Sequence, residues 1–368
     1  MPHPIRTILV PLAALLVIGA ACTSDNPSCY APAARDYVNE LTLIGEPFED
    51  YAPYVRSIDE STALVLTSDI ETHMTWAWRV DLATGERARF DEWHMRTTPI
   101  RNSLLSLPDG RFLSIGGIGT FEYVIFDPAK PNSAAIREFE TGGELDNISF
   151  EFAFLDPATG AVYVAITDWI DGNTEGAGMM IFDPDRGKLT NLGLRVEGVR
   201  FNDTSKALSL CDGRFVLPGS LGDGGDHYYP RDEVFYFEPA IPSLGLLDVG
   251  MGVYAAAPID SERALLIGRS EGELHTRVLE LESGTVSEVD GSNYPNGVGT
   301  SLEVALFGLA DGRVLALDND GDLHTFDPAG GGFVESGWTY GSSLRDMALT
   351  PDGRVLGMTQ NGDLMIYR

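Results

Sequence analysis

Short apolar runs, rich in β-branched and aromatic residues, recur along this chain, and each of them follows a polar turn. Four of these turns contain Asp-Gly-Arg and begin the segments LPDGRFLSIGG from Leu107, LCDGRFVLPGS from Leu210, LADGRVLALDN from Leu309 and TPDGRVLGMTQ from Thr350. Looser copies are STALVLTSD from Ser61, DPATGAVYVAI from Asp156 and SERALLIGRSE from Ser261. Most of the seven turns are about 50 residues apart, which indicates a repeat protein built from strands.

A second pattern follows these turns and reads apolar strand, then acidic residue, then another turn. Its copies are WRVDLATGE at Trp78, VIFDPAKP at Val124, MIFDPDRGK at Met180, VFYFEPAIP at Val234, VLELESGT at Val278 and LHTFDPAGG at Leu323. Asn361-Gly362 and Asp320-Gly321 are dipeptides typical of tight hairpins, which we place between the second and third strands. Each unit therefore contains four strands.

The two ends of the repeat array complement each other. The last unit supplies only three strands before Arg368, and the segment Tyr37 to Gly45 is a strand without a unit of its own. One four-stranded sheet cannot bury both of its faces, whereas a closed ring of sheets can. We therefore predict an all-β fold for residues 37–368: a seven-bladed β-propeller of four-stranded blades, closed by the N-terminal strand in the last blade.

These turns resemble those of the kelch and galactose-oxidase-like propellers, through the Asp-Gly-Arg turns and the pair Gly116-Gly117. The DPATG turn at Asp156 is similar to quinoprotein-type repeats. The other blades lack the Gly-Gly pair, and no regular Trp-Asp signature is present. The resemblance covers almost all of residues 37–368 and implies a propeller with a general binding role. It implies no particular substrate, because propellers of this type include both binding modules and unrelated enzymes.

The N-terminus has the pattern of an export signal over residues 1–21. Arg6 provides the positive charge, and the apolar run Thr7 to Ile18 is shorter than the roughly 20 residues of a membrane span. Small residues then precede Cys22, which resembles a bacterial lipoprotein signal, although Gly19 stands where that family has a larger aliphatic residue. The resemblance implies lipidation of Cys22. Plain secretion after cleavage behind Ala21 is the alternative.

Residues 22–36 are predicted to form a polar tether between the membrane and the propeller. Thr23 is not the Asp that retains lipoproteins in the inner membrane, so in a host with two membranes the resemblance favours the outer membrane. More generally, we expect a membrane-anchored protein at the outer membrane, the cell surface or the periplasm. Cys29 and Cys211 remain either a disulfide, which an exported protein can form, or two free thiols.

The charge of the chain excludes one class of partner. It has 55 acidic and 25 basic residues and a net charge of -30. A field of this sign repels phosphate backbones, so we expect no nucleic-acid partner.

Polar residues of the innermost strands form the first candidate site, at the mouth of the central channel. Counting the same number of residues back from each turn reaches the inner strands, whose polar residues form a mixed ring of acids, amides and arginines. Asn102, Asn147 and Asp346 are polar neighbours of this ring. Arg345 lies one residue away from the position that the count gives for the last blade. The candidate ligand-binding residues are Arg101, Glu151, Asn202, Asp203, Glu303 and Arg345. The alternative is a hydrated channel whose walls are polar because water fills it.

Two long hairpins between second and third strands form the second candidate site, because long loops in compact domains are often functional. They are TDWIDGNTEGAG from Thr167 in blade 3 and GSLGDGGDHYYPRDE from Gly219 in blade 4. Aromatic and Arg residues often anchor interfaces. The candidate partner-binding residues are Trp169, Asp171, Asp226, His227, Tyr228, Tyr229 and Arg231. The alternative is a pair of solvated loops.

We expect a monomeric binding or scaffold protein without enzymatic activity, whose partner is a protein or a saccharide. The alternative is a hydrolase or lyase with a polar or Ca²⁺-dependent axial site at Glu151, Asp203 and Glu303. The sequence contains no Ser-centred elbow, phosphate loop or HExxH motif, so we assign no catalytic residue and expect no cofactor or metal. Asp223 and Asp226 in GDGGDH are compatible with Ca²⁺ but provide too few oxygen ligands for a full site.

Overall fold

In the residues that the computed structural model describes, every regular element is a β-strand. The described residues are 40–49, 51–69, 71–95, 104–116, 122–140, 148–156, 159–170, 174–201, 207–209, 213–217, 220–222, 231–260, 262–271, 273–289, 305–309, 311–317, 322–339, 344–359 and 361–368. The strands form seven four-stranded antiparallel sheets and one two-stranded ribbon. This confirms the predicted seven-bladed propeller.

The first three blades follow chain order from the innermost to the outermost strand. Blade 1 consists of β2 (Tyr51–Ser57), β3 (Thr62–Ser68), β4 (Met74–Asp81) and β5 (Arg87–His94). Blade 2 consists of β6 (Leu105–Ser106), β7 (Phe112–Ile115), β8 (Glu122–Phe126) and β9 (Ala135–Glu138). Blade 3 consists of β10 (Ile148–Leu155), β11 (Val162–Ile170), β12 (Thr174–Asp183) and β13 (Lys188–Glu197).

Blade 4 is interrupted by a ribbon of β14 (Val199–Phe201) and β17 (Ser220–Gly222). The blade itself consists of β15 (Leu208–Ser209), β16 (Phe215–Leu217), β18 (Glu233–Glu238) and β19 (Ser243–Asp248). Blade 5 consists of β20 (Gly252–Pro258), β21 (Arg263–Ser270), β22 (Glu273–Glu280) and β23 (Val286–Glu288). Blade 6 consists of β24 (Ala305–Gly308), β25 (Val314–Leu317), β26 (Asp322–Asp327) and β27 (Gly332–Thr339).

The last blade joins the two ends of the ring, as predicted. It consists of β28 (Leu344–Leu349), β29 (Val355–Thr359), β30 (Leu364–Tyr367) and β1 (Leu41–Leu43). Within it, Leu41 pairs with Tyr367 and Leu43 with Met365. The backbone N–H of Arg368 donates to Glu40 at 2.9 Å. Closure by β1 gives β30 a hydrogen-bonded neighbour, so the last blade has no missing outer strand.

The core lies between neighbouring blades. Seven clusters of buried apolar residues occupy these interfaces, and each contains residues from two consecutive blades. In the cluster between blades 2 and 3, Phe139 lies 4.8 Å from the rings of both Tyr123 and Phe182. Burial of apolar surface on both faces of each sheet is the main contribution to folding.

The Asp-Gly-Arg turns join the first and second strands and also reach the next blade. In blade 2, the carboxylate of Asp109 accepts from the backbone N–H of Arg111 at 3.0 Å and from its Nε at 2.6 Å. Arg111 Nη2 then donates to Asp185 of blade 3 at 3.0 Å. In blade 7, Arg354 donates to the carbonyl oxygen of Glu60 in blade 1. These arginines therefore connect neighbouring blades, a role that the turn pattern alone does not reveal.

Burial and hydrogen bonding act in opposite directions on Asp109. Partial burial raises its pKa, but the hydrogen bonds from the backbone and side chain of Arg111 outweigh this, and the pKa lies below the ordinary value.

The second sequence pattern forms the turns between third and fourth strands. In blade 1, Asp81 Oδ1 accepts from the backbone N–H groups of Ala83 and Thr84 at 2.9 and 2.8 Å.

No helix in the described segments is long and apolar enough to cross a membrane.

Candidate functional site

A β-bulge recurs in the innermost strands and places one extra residue at the same point of several blades. In β10, Phe150 pairs with Ile166 and Phe152 with Ala165, so Glu151 has no opposite residue. Phe150 packs in the interface with blade 2 and Phe152 in the interface with blade 4. Because the extra residue belongs to neither packed face, the bulge leaves Glu151 on the free inner edge of the sheet.

The same bulge occurs at Tyr254 in β20 and at Arg345 in β28. Each bulged residue precedes the last pair of its strand by the same number of residues as Glu151. Arg345 is therefore in step with Glu151 of blade 3 and Tyr254 of blade 5. The offset of one residue that the count from the turns gives for Arg345 has a simple cause. Asp352, from which the count starts, follows the end of its strand one residue sooner than Thr159 does. The repeat thus brings Glu151, Tyr254 and Arg345 to equivalent backbone positions.

Of the proposed axial residues, Glu151 is described in most detail. Its side chain is partly buried, and Oε1 accepts a hydrogen bond from the Ser149 hydroxyl at 2.8 Å. Arg345 is described by its backbone only. Arg101, Asn202, Asp203 and Glu303 lie outside the described residues, so their convergence on one ligand stays a prediction.

Asp346 has a role in the inner ring that sequence reasoning missed. Its side chain is 1% exposed, and Oδ2 accepts from the backbone N–H of Val55 at 3.0 Å and from Arg56 Nη1 at 2.5 Å. Arg56 Nε also donates to the carbonyl oxygen of Leu104 at 2.8 Å. Hydrogen bonds to a buried charge are strong, and this pair links the inner strands of blades 7 and 1 to the start of blade 2. Asp346 therefore stabilises ring closure.

The proposed long loop of blade 3 is mostly an extension of its sheet. Strands β11 and β12 remain paired to Ile170 and Thr174, and Trp169 pairs with Glu175. Residues 171–173, which include the candidate Asp171, lie outside the described residues. The third strand of blade 3, β12, has 10 residues, compared with 8 in the third strands of blades 1 and 5.

The insertion of blade 4 begins as a strand that pairs outside its own blade. β17 pairs with β14, which follows directly on the outermost strand of blade 3. Val199 and Phe201 of β14 are buried in the interface between blades 3 and 4. The ribbon therefore joins the two hairpins predicted to form one contact surface.

At the far end of the insertion, Arg231 is exposed and its Nε lies 3.2 Å from Glu233 Oε2. The candidates Asp226, His227, Tyr228 and Tyr229 lie outside the described residues, as does Cys22. No group of three or more His, Cys, Asp or Glu side chains suited to a metal ion occurs in the described part of the chain.

Comparison with known proteins places the fold but not the activity. No protein-family model and no curated protein matches this chain. Among solved structures, the chain is similar to the WD40 β-propeller domain of Doa1, with 10% identity and a TM-score of 0.55 over 90% of this chain and 97% of that chain. It is also similar to a streptogramin B lyase, with 9% identity and a TM-score of 0.57 over 90% of this chain and 98% of that chain. At these identities the similarity shows a β-propeller and nothing about substrate or partner.

Proposed function

We propose that this protein is an exported lipoprotein, anchored through Cys22, that binds a protein or saccharide partner without catalysing a reaction. The contact surface is the blade 3–4 sector, which comprises the β11–β12 hairpin, the β14–β17 ribbon and the insertion up to Arg231. One observation supports this most directly. In this sector the chain departs from its repeat and adds a ribbon that buries Val199 and Phe201 to hold two hairpins together.

The residue types of this sector suit recognition. Trp169, Tyr228 and Tyr229 offer large amphipathic contact surfaces, and Arg231 offers a planar donor group. Aromatic faces also stack on apolar sugar faces, so the same residue types serve a protein or a saccharide partner.

The course of the N-terminal strand supports the orientation of this surface. β1 begins beside Tyr367 and Arg368, at the end of blade 7 that carries its Asp-Gly-Arg turn. A tether that precedes Glu40 therefore joins the propeller near the Asp-Gly-Arg turns. The hairpins of blades 3 and 4 lie on the opposite face, which anchoring through Cys22 would direct away from the membrane.

The binding proposal is tested with the double variant Tyr228→Ala/Tyr229→Ala and with Trp169→Ala. The measurement is affinity for isolated cell-envelope proteins and for envelope polysaccharides, each immobilised separately. We expect at least a tenfold loss for the class that contains the partner, since aromatic anchors dominate interface energies. Arg111→Ala, on the opposite face, is the matched control and should bind as the parent does.

Equal binding by the parent and both loop variants would contradict the proposed surface. Conversion of an added polysaccharide to smaller products by the parent, abolished by Glu151→Gln, would instead support the hydrolase or lyase alternative. Anchoring is tested separately with Cys22→Ala, which should move the protein from the membrane to the soluble fraction. An unchanged membrane fraction would refute lipidation.

A further inference from the structure

A cavity of about 250 Å³ lies between blades 4 and 5, outside the blade 3–4 sector. It is bounded by the fourth strand of blade 4, β19, and by the third strand of blade 5, β22, which contributes Leu279. Arg214 and Glu282 also line it and occupy the sequence positions of Arg111 and Asp185 in the blade 2–3 interface. The buried cluster of described residues at this interface is aliphatic, so it fills less volume than the aromatic clusters elsewhere in the ring.

Gly245, in the middle of β19, opens onto this cavity. It pairs with Tyr236 of β18, and a Cβ built on it would meet no atom within 4 Å. Successive side chains of a strand point to opposite faces of the sheet. Leu244 and Leu246 pack against the interface with blade 3 and Leu247 against the interface with blade 5, so position 245 faces blade 5. Glycine therefore leaves room on this face for a side chain that comes from another strand.

The outer edge of β19 presents the backbone groups of Leu244 and Leu246. The backbone N–H of Val249 donates to the carbonyl oxygen of Asp232 at 2.8 Å, and hydrogen-bonded and non-hydrogen-bonded pairs alternate along an antiparallel ladder. The register therefore directs the N–H and C=O groups of Gly245 toward β18 and those of Leu244 and Leu246 away from it. Among the described residues, these outward groups have no hydrogen-bond partner.

The fourth strands of blades 1 and 2, by contrast, are bonded by backbone from the next blade. The N–H of Asn132 in blade 2 donates to the carbonyl oxygen of Phe90 in β5 at 3.2 Å. Directly after β9, the N–H of Glu140 donates to the carbonyl oxygen of Gly187 in blade 3 at 2.9 Å. The matching turn of blade 5, residues 280–285, makes no such bond to β19 in the described part of the chain. The kind of group that is bonded at the equivalent edges is therefore a backbone segment.

β19 also lacks the features that keep edge strands from pairing with another chain. Charged side chains, prolines and bulges protect such strands in natural proteins. β19 reads SLGLLD and pairs with β18 without a register shift. Its charged neighbours lie at its two ends, where Glu238 pairs with Ser243 and Asp248 ends the strand. This distribution suits an added strand that is apolar in the middle and basic at both ends.

We propose that β19 binds an extended peptide segment of a partner protein as a fifth, antiparallel strand of blade 4, with one large apolar side chain in the cavity. The peptide backbone bonds to Leu244 and Leu246, which places the residue between these two contacts opposite Gly245. That pair is non-hydrogen-bonded, the arrangement in which facing side chains are closest. An aromatic residue opposite an edge glycine also covers the exposed backbone. Backbone bonds supply the affinity of such strand addition, and the cavity selects the side chain.

The test is calorimetric titration of the purified protein with the blocked peptide KTVTFTVTK, which has a central phenylalanine and a lysine at each end. We expect saturable binding of one peptide per protein. A peptide with glycine in place of the phenylalanine, and one with N-methyl groups on the two threonines beside it, should each bind at least tenfold more weakly. Equal binding of the glycine peptide would overturn the role of the cavity. Equal binding of the N-methylated peptide would overturn strand addition, and no saturable binding would overturn the site.

Two protein variants locate the peptide. Gly245→Val should fill the space beside β19, and Leu246→Pro should remove an outward N–H without breaking the ladder to β18. Each should lower the affinity for KTVTFTVTK at least tenfold. Glu288→Pro is the matched control, because it removes an outward N–H from the fourth strand of blade 5, and it should bind as the parent does. Unchanged affinity in Gly245→Val would refute the site.

Two further outcomes keep the test decisive. The N-methylated peptide probes the same hydrogen bonds without a change in the protein, so it decides the matter if Leu246→Pro fails to fold. A dimer of the parent that is lost in Gly245→Val would assign the edge to a second copy of this chain and overturn the peptide assignment. Neither variant alters the blade 3–4 sector, so binding to Trp169 and its neighbours succeeds or fails independently.

Discussion

The interface between blades 2 and 3 and the interface between blades 4 and 5 are built from the same repeat but are filled differently. Between blades 2 and 3, Tyr123, Phe139 and Phe182 form a continuous aromatic cluster with ring centroids 4.8 to 4.9 Å apart. Between blades 4 and 5 the buried residues that the structure describes are aliphatic, and a cavity remains. Strand pairing fixes the positions of the blades, whereas side-chain volume decides whether the space between them is closed.

The largest difference between the two interfaces should appear on truncation of a buried side chain. Phe182→Ala removes a ring that is 2% exposed and should destabilise the fold by about 3 to 5 kcal/mol. Leu279→Ala should cost less, about 2 to 3 kcal/mol, since the space it leaves joins a cavity already open to solvent. Guanidinium denaturation of both variants measures the difference. A cost for Leu279→Ala equal to that of Phe182→Ala would mean that the cavity is closed in solution.

Two glycines in equivalent turns give a more closely matched comparison. Gly187 and Gly284 both have φ of 68°, so an alanine at either site costs about 1 to 2 kcal/mol for its backbone conformation. At Gly187 the new methyl group would also overlap the Tyr123 hydroxyl, whereas at Gly284 it would lie 3.3 Å from Leu247. We expect Gly187→Ala to cost about 1 to 3 kcal/mol more. Equal shifts in Tm would show that Tyr123 moves away freely.

The ion pair at the rim of the blade 2–3 interface should contribute little. Arg111 and Asp185 are 35% and 82% exposed, and exposed pairs contribute at most about 1 kcal/mol. Asp185→Asn should therefore lower stability slightly at low salt and not at high salt. Glu282→Gln is the matched control and should leave stability unchanged at both salt concentrations. A larger effect from Glu282→Gln would point to an ion pair with Arg214.

The smallest expected effect is a change in acid sensitivity. The folded-state pKa of Asp109 is lowered, so its ionised form is favoured by folding, and the stabilisation is lost as the pH falls through that pKa. The loss should occur below the ordinary Asp value of about 4. Asp109→Asn should be less stable than the parent at neutral pH and nearer to it at about pH 3. A parallel loss of Tm in both proteins on acidification would contradict this.

Much of the fold follows from local sequence. The Asp-Gly-Arg turns, the acidic turns and the unpaired N-terminal strand predicted seven sheets and their closure, because turn chemistry and apolar alternation act over a few neighbouring residues. The axial site was less predictable. Counting from the turns reached the innermost strand at Glu151 but gave Arg345 an offset of one residue, because the turn aspartate Asp352 comes one residue sooner after its strand than Thr159 does.

The sequence alone determined which residues turn, which form strands and how many blades the chain supplies. Only the tertiary structure decided what meets across the blades: the buried pair of Arg56 and Asp346, nearly 300 residues apart along the chain, and the cavity beside Gly245. The physical reason is that hydrogen bonding within a hairpin depends on adjacent residues. Packing between blades depends on the sum of side-chain volumes contributed by two separate sheets.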